Sequence, residues 1–455
     1  MISNPEFRRN LWLELTPHRL ISAPVFLALV LALAASSDDS GWQTPTAFMA
    51  LLVFVAVTVL WGGRQAYDAM IDELRERTWD TQRMSALSPT AMVIGKLLGS
   101  TVFNWYVGGL CLAVFCALAD LTELPALADW SVARIALVAV FAALLLQAAG
   151  FLAGLIAVRS GFTASKGRSL PMTLLGLLLA GGLAGAVMEY AESAIRWHDD
   201  LWPAQEFLIV SLAVFTGWLW LGAWRLMAEL LAVRLLPWGL PAFTLFLAGY
   251  LAGFVDSSDW PPLGKHLSLV IWVGIPLAYI SAWKERRDWI TIQRFLRSWQ
   301  ADSPMRALQA TPEWLVVGLL TLLAALVGVT ALPEEMAPAV LSSAPRELLT
   351  LSPLTLSLLL FRDVGLLYYF GLGSRPDRAG PTTLVYWFLL WVLLPLLLGD
   401  FGLLASPALA TASAATRWIG ALIAAGHLAV VAFLVITRLG QRQPIVQNPK
   451  HGTGL

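Results

Sequence analysis

The chain has 455 residues, of which 58% are hydrophobic and only 13% are charged. A soluble domain carries about a quarter charged residues, so the composition excludes an ordinary soluble protein. The formal net charge is zero, which gives a nucleic-acid partner no electrostatic support.

Apolar runs long enough to cross a bilayer recur along the whole chain, and they do not alternate with a period of two. We therefore predict an all-α fold, a polytopic transmembrane helical bundle of about twelve spans. Before the first span, Phe7, Leu11 and Trp12 share one helical face, which predicts an N-terminal interfacial helix; the alternative is a frayed polar tail. The spans are predicted at residues 20–36, 46–62, 92–118, 132–158, 170–189, 206–231, 240–255, 265–283, 313–332, 353–371, 382–399 and 414–437.

The basic residues alternate from loop to loop. Of the 30 lysines and arginines, 23 lie in the N-terminal segment and in every second loop after it. The intervening loops contain Arg196 and Arg346. By the positive-inside rule, both termini are expected to be cytoplasmic, in a protein integral to the bacterial plasma (inner) membrane.

The segment between the second and third predicted spans, residues 63–91, is charged. It ends in Ser88-Pro89, which predicts a new helix with proline in its first turn. A charged cytoplasmic loop in an apolar chain is a candidate contact for a soluble partner. The candidate residues are Asp72, Glu73, Arg75, Glu76, Arg77 and Arg83.

A shift of 223 residues aligns this segment with a second one. Residues 83–95 fall on 306–318, and an arginine, a Ser/Thr-Pro step, a valine and a glycine recur in register. Each copy follows the second span of a six-span half, so we predict a duplication. The candidates in the second copy are Arg294, Arg297 and Arg306. The predicted domains are an interfacial helix at 1–19, six-span halves at 20–237 and 238–438, and a cytoplasmic tail at 439–455.

Residues 64–99 run from a charged helix through Glu-Arg-Thr-Trp-Asp and Ala-Leu-Ser-Pro into Gly-Lys-Leu-Leu-Gly. In this position, the stretch resembles the membrane subunits of ABC exporters of the type-2 family. The resemblance implies that residues 64–91 form a coupling helix for a separate ATPase, with 284–312 as its pseudo-symmetric counterpart. The second copy departs from the pattern, because Gly318 is followed by two leucines and not by Lys-Leu.

The chain contains no Gly-x-x-x-x-Gly-Lys-Ser/Thr motif, so it is not expected to be an enzyme or to bind a cofactor itself. The resemblance implies that ATP and Mg bind an ABC ATPase subunit, present in two copies. The other expected partners are the lipid bilayer and a hydrophobic or amphipathic substrate, such as a lipid, a drug-like compound or a peptide. Between the fifth and sixth spans, the resemblance suggests a short helix; a solvated charged loop is the alternative.

An ionisable group at membrane depth is a functional hypothesis by default. Arg362 and Asp363 either form a pair that neutralises itself or binds a neighbouring helix, or contact a substrate headgroup; a misplaced span boundary is the third alternative. Asn104 and Gln147 are predicted to hydrogen-bond across helices. His427 is predicted to be a hydrogen-bonded packing residue and not a proton carrier.

The leading hypothesis is therefore the permease subunit of an ATP-driven exporter. The alternative is an ion- or proton-coupled secondary transporter, which would place several carboxylates within the membrane. Asp363 is the only central candidate in the sequence, which weakens this alternative. A membrane enzyme acting on lipid-linked substrates would need clustered acids or histidines, and the five histidines are scattered.

Overall fold

The computed structural model describes residues 4–36, 41–85, 87–121, 130–159, 170–189, 194–255, 262–285, 289–300, 303–331, 352–373, 375, 378–393, 396–397 and 414–441. The chain divides into two compact units, Met1–Leu235 and Leu236–Leu455. Beyond Gln441, the predicted cytoplasmic tail lies outside the described residues.

The described part of the first unit is helical apart from one hairpin. A π-helical segment, Val55–Trp61, follows its third helix directly. Two antiparallel strands, β1 (Ala194–Trp197) and β2 (Asp200–Pro203), precede its last helix. The helices are α1 (Pro5–Glu14), α2 (Pro17–Ala35), α3 (Gln43–Phe54), α4 (Gly62–Arg75), α5 (Trp79–Arg83), α6 (Pro89–Ser100), α7 (Val102–Leu118), α8 (Val132–Arg159), α9 (Leu170–Glu189) and α10 (Ala204–Leu230).

The described part of the second unit is helical. A second π-helical segment, Leu389–Leu393, follows its penultimate described helix. The helices are α11 (Gly239–Ala252), α12 (Pro262–Lys284), α13 (Trp289–Gln300), α14 (Pro304–Ala310), α15 (Glu313–Ala331), α16 (Pro353–Gly371), α17 (Ala379–Phe388) and α18 (Ala414–Gln441).

Within the described residues, seven helices are long and apolar enough to cross a membrane, and up to nine are if each of two bent helix pairs forms one span. The described chain is thus an all-α, polytopic integral membrane protein. A helix occupies most of each predicted span range. The number of twelve spans remains a prediction, because α11, for example, has only 14 residues. The orientation of the termini also remains a prediction.

The segment before α10 corrects one expectation. Over residues 194–203 the suggested helix is wrong, because β1 and β2 form a hairpin, and residues 190–193 lie outside the described residues. His198 and Asp199 have φ values of 51° and 67°, which suit the two-residue turn that matches the twist of paired strands. The ring of Trp197 lies 5.8 Å from that of Phe207, so the hairpin packs on the start of α10.

One continuous helix joins the membrane-spanning part of the first unit to its charged segment. Residues Gln43–Arg75 form 33 helical residues, about 50 Å at 1.5 Å per residue. A span needs about 20 residues, so α4 extends beyond the apolar layer. α4 packs closely on α8, where a Cβ on Gly150 would collide with the carbonyl oxygen of Gly63.

Candidate functional site

The predicted coupling segment contains a sharp turn. At the end of α4, Arg77 adopts a left-handed φ of 57°. The amide of Thr78 donates to the carbonyl of Glu73 at 3.0 Å, the six-to-one hydrogen bond of a Schellman-type helix end. The chain then forms the five-residue helix α5 before α6 begins. The segment is therefore two helices joined by a turn, and we call residues 72–83 the charged turn.

The outer side of the charged turn carries both signs of charge. Arg75 and Asp72 form an exposed ion pair at 2.8 Å, and such surface pairs contribute little to stability. The arrangement can offer several charge-assisted hydrogen bonds to a partner protein. The exposed charged residues are Asp72, Arg75, Glu76, Arg77, Asp80 and Arg83.

Glu73 was a candidate contact residue together with these charges, but unlike them it is buried. Glu73 is 7% exposed, because it follows Ala66 and Met70 on the helical face that packs inward. Its carboxylate belongs to a group of four charges on α1, α4 and α6, three of them buried, which we call the anchor cluster. The anchor cluster consists of Glu6, Arg9, Glu73 and Lys96.

Lys96 is the central cation of the anchor cluster. Its Nζ lies 2.8 Å from Oε1 of Glu73 and 3.0 Å from Oε1 of Glu6. Arg9 reaches the same two oxygens, at 2.6 Å from Glu73 and 3.1 Å from Glu6. Burial acts to lower the pKa of Arg9, but the hydrogen bond to Glu73 and nearby carboxylates raise it overall. Two cations thus balance two buried carboxylates.

The second oxygen of Glu73 fixes the charged turn. The hydroxyl of Thr78 and the side-chain amide of Gln82 both donate to Oε2 of Glu73. One carboxylate therefore links the turn and α5 to α1 and α6. Trp79, which is 7% exposed, packs into the apolar core with Met70 and Met92.

The N-terminal helix binds α6 through its polar side. The side-chain amide of Asn4 donates to the backbone carbonyl of Ala91 at 2.7 Å, and the side-chain amide of Asn10 donates to that of Gly95 at 3.0 Å. A Cβ on Gly95 would lie 2.6 Å from Cβ of Glu6, so glycine permits this close approach. Trp12 is 84% exposed, and the interfacial position predicted for α1 remains a prediction.

We expect Gly95→Leu to displace α1 from α6, because the added side chain would overlap Glu6 and overpacking costs about 1–3 kcal/mol. Limited trypsin digestion should then cut faster at Arg8 and Arg9. The control is Gly109→Leu on α7, where a Cβ would meet no atom within 4 Å. Equal cleavage of both variants at the wild-type rate would contradict this account of the α1–α6 contact.

In the second unit, Arg362 and Asp363 form a buried pair on α16. Nε of Arg362 donates to Oδ1 of Asp363 at 2.7 Å, and the side chains are 2% and 1% exposed. Oδ2 of Asp363 accepts from the Tyr279 hydroxyl and the Trp391 indole, both at 2.9 Å. Nη1 of Arg362 lies 3.5 Å from Nδ1 of His427. The pair therefore neutralises itself and also joins α12, α18 and the second π-helical segment.

Asn104 and Gln147 meet at the first π-helical segment. The Asn104 amide donates to the carbonyl of Val57 at 2.8 Å, and the Gln147 amide donates to that of Thr58 at 2.9 Å. Gln147 also accepts from the indole of Trp105 at 2.9 Å. A π-helical turn departs from the regular α-helical hydrogen-bond pattern, and these side chains bind two of its carbonyls. Both residues hydrogen-bond across helices, as predicted.

The second charged segment differs from the first. Arg294 and Arg297 are exposed on α13, and Arg306 is exposed on α14. None of the residues of α13 is buried. Gly318, which aligns with Gly95, packs beside the ring of Phe361 on α16. Gly95 and Gly318 thus both allow close packing, but against different partners.

Several residues of these clusters were not singled out from the sequence. Glu6, Arg9 and Lys96 complete the anchor cluster, and Tyr279 and Trp391 complete the shell around Asp363. The sequence did indicate that Lys96 has a buried partner, since a lysine inside a predicted span needs one. The sequence did not indicate a buried role for Glu6 and Arg9, because their helix carries charges on an ordinary polar face.

No protein-family model, curated protein or solved structure matches the chain. Among the residues that the structure describes, no group of three or more His, Cys, Asp or Glu side chains could hold a metal ion.

Proposed function

We propose that this chain is the membrane-spanning permease subunit of an ATP-driven ABC exporter of the type-2 family. A separate ATPase subunit, in two copies, binds ATP and Mg, and one copy contacts the charged turn. The cargo is hydrophobic or amphipathic. The protein lies in the bacterial inner membrane with both termini in the cytoplasm.

The observation that carries the proposal is that the charged turn has an exposed charged surface and is also held from inside by the anchor cluster. The exposed charges of the charged turn can bind another protein, while Glu73 ties the same turn to α1 and α6. A coupling element must transmit a displacement without absorbing it. Because one carboxylate joins these elements, a push on the turn would move α1, α4 and α6 together.

The break between α6 and α7 is a candidate hinge for such a motion. The two helices meet at Thr101 with a bend of 54°. Ser88 caps α6 by accepting from the amide of Ala91 at 3.2 Å, so the start of α6 is well defined. In the proposed mechanism, α6 tilts about this bend when the ATPases close, and the apolar helices of the unit follow.

The state of Asp363 favours an ATP-driven mechanism over ion coupling. Its Oδ1 accepts a hydrogen bond from Arg362, and its Oδ2 accepts from Tyr279 and Trp391. A carboxylate that carries a coupling ion must exchange its partners during transport. Here the partners are fixed side chains of three different segments, which suits a structural role.

The test is co-purification of the tagged chain from its native host membranes in mild detergent, with recovery of a Walker-motif ATPase and of its ATP hydrolysis measured. We expect the triple variant Arg75→Glu, Glu76→Lys and Arg83→Glu to lower this recovery about tenfold or more, since close interfacial charge pairs couple by more than about 1.5 kcal/mol. Glu73 is unsuitable for this test, because reversing it would disrupt the anchor cluster.

The matched control is Arg196→Glu, an exposed charge of the hairpin on the side predicted to be extracytoplasmic. It should leave recovery unchanged. The proposal fails if the wild-type chain recovers no Walker-motif ATPase, or if the triple variant recovers as much as the control.

A further inference from the structure

The helix α13 has two chemically distinct sides. Ile292, Phe295, Leu296 and Trp299 follow the spacing of one helical face. Leu296 is 43% exposed and Trp299 is 57% exposed, and none of the twelve residues of α13 is buried. In the described structure, Leu296 and Trp299 on this apolar side are therefore left exposed, while Ile292 and Phe295 are half-buried.

The charge of this segment is basic. Arg294 and Arg297 lie away from the apolar stripe, and Arg306 lies on α14. Neither helix contains an acidic residue, and one acid, Asp302, stands between them in the sequence. The charged turn of the first half instead mixes both signs of charge. A basic helix with tryptophan, phenylalanine and leucine on its other face is typical of binding to an anionic membrane surface.

The geometry of the neighbouring helices agrees with this chemistry. α14 meets the apolar helix α15 at an angle of 96°. A helix perpendicular to a membrane span runs parallel to the membrane plane. α13 packs against α14, whose Met305 and Leu308 are 53% and 46% exposed. Exposed apolar residues on both helices are thus found where the chain turns away from a span.

We infer that α13 lies in the surface of the bilayer, with its apolar stripe among the acyl chains and Arg294 and Arg297 at the phosphates of anionic lipids. This inference goes beyond the proposed function and does not depend on an ATPase. It gives the two halves different partners: the charged turn of the first half binds protein, and α13 binds lipid.

The test places a nitroxide spin label at Leu296→Cys or, as the matched position on the other side of the helix, at Ser298→Cys. Both are made in the full chain carrying Cys111→Ala and Cys116→Ala. The protein is reconstituted in phosphatidylcholine, with or without phosphatidylglycerol, and no ATPase is added. Accessibility of each label to oxygen and to a water-soluble nickel chelate is measured by electron paramagnetic resonance.

We expect the label at 296 to be reached by oxygen and shielded from the chelate, and the label at 298 to show the reverse. Arg294→Gln and Arg297→Gln should each lower the immersed fraction relative to the exposed fraction about fivefold in anionic bilayers, with little effect in neutral ones. The inference is overturned if the chelate reaches both labels equally in both lipids.

Discussion

Replacing Lys96 by methionine is expected to destabilise the first unit by about 3–5 kcal/mol, the usual cost of removing one partner from a buried ionic group. Lys96 is 1% exposed and contacts both Glu6 and Glu73. Without it, Arg9, whose side chain is 43% exposed, is the one cation of the anchor cluster left facing two buried carboxylates. The midpoint of thermal unfolding of the purified protein in detergent should fall by roughly 10 °C.

The control is Arg75→Met, which removes a cation from an exposed ion pair on the same segment. Its expected cost is below about 1 kcal/mol. Adding Glu73→Gln to Lys96→Met restores formal neutrality and should recover a large part of the loss. If Lys96→Met unfolds at the same temperature as Arg75→Met, the anchor cluster does not stabilise the protein.

Replacing Asp363 by leucine is expected to destabilise the second unit by a similar amount, about 3–5 kcal/mol. The change leaves the Arg362 guanidinium, which is 2% exposed, without its carboxylate. It also removes the acceptor of Tyr279 and Trp391. The measurement is again the midpoint of thermal unfolding, followed by near-ultraviolet circular dichroism of the aromatic side chains.

The double variant Arg362→Met with Asp363→Leu separates a structural pair from a substrate contact. Replacing a whole buried ion pair by apolar residues is often neutral or stabilising, so the double variant should regain most of the lost stability. A purely structural pair would regain transport as well. Restored stability without transport would indicate that the pair contacts the substrate, and no restoration would contradict the pairing itself.

The helical, membrane-spanning character of the chain was predictable because it depends on local composition. A run of apolar residues stabilises a helix in a bilayer whatever its neighbours are. The start of α6 was equally predictable, because Ser88 and Pro89 act within one turn. Arg362 and Asp363 are adjacent in sequence, so their pairing was among the alternatives that the sequence offered.

The anchor cluster was not predictable, because its members are far apart along the chain. Glu73 is 23 residues from Lys96 and 64 residues from Arg9. Helical periodicity places Glu73 on the same side as Met70, but it does not say which element covers that side. The hairpin before α10 was missed for a related reason, since its turn depends on two left-handed residues that composition does not reveal.

By itself, the sequence determined that this protein is a helical membrane protein and that two charged segments each lead into a Ser/Thr-Pro step before an apolar run. These features are local, and the bilayer imposes them through hydrophobicity and hydrogen bonding. The tertiary structure alone decided that Glu73 faces inward, that α1 packs on α6 and that α13 leaves Leu296 and Trp299 exposed. Such choices depend on which distant side chains meet, because a buried charge is tolerated only where its partners are brought to it.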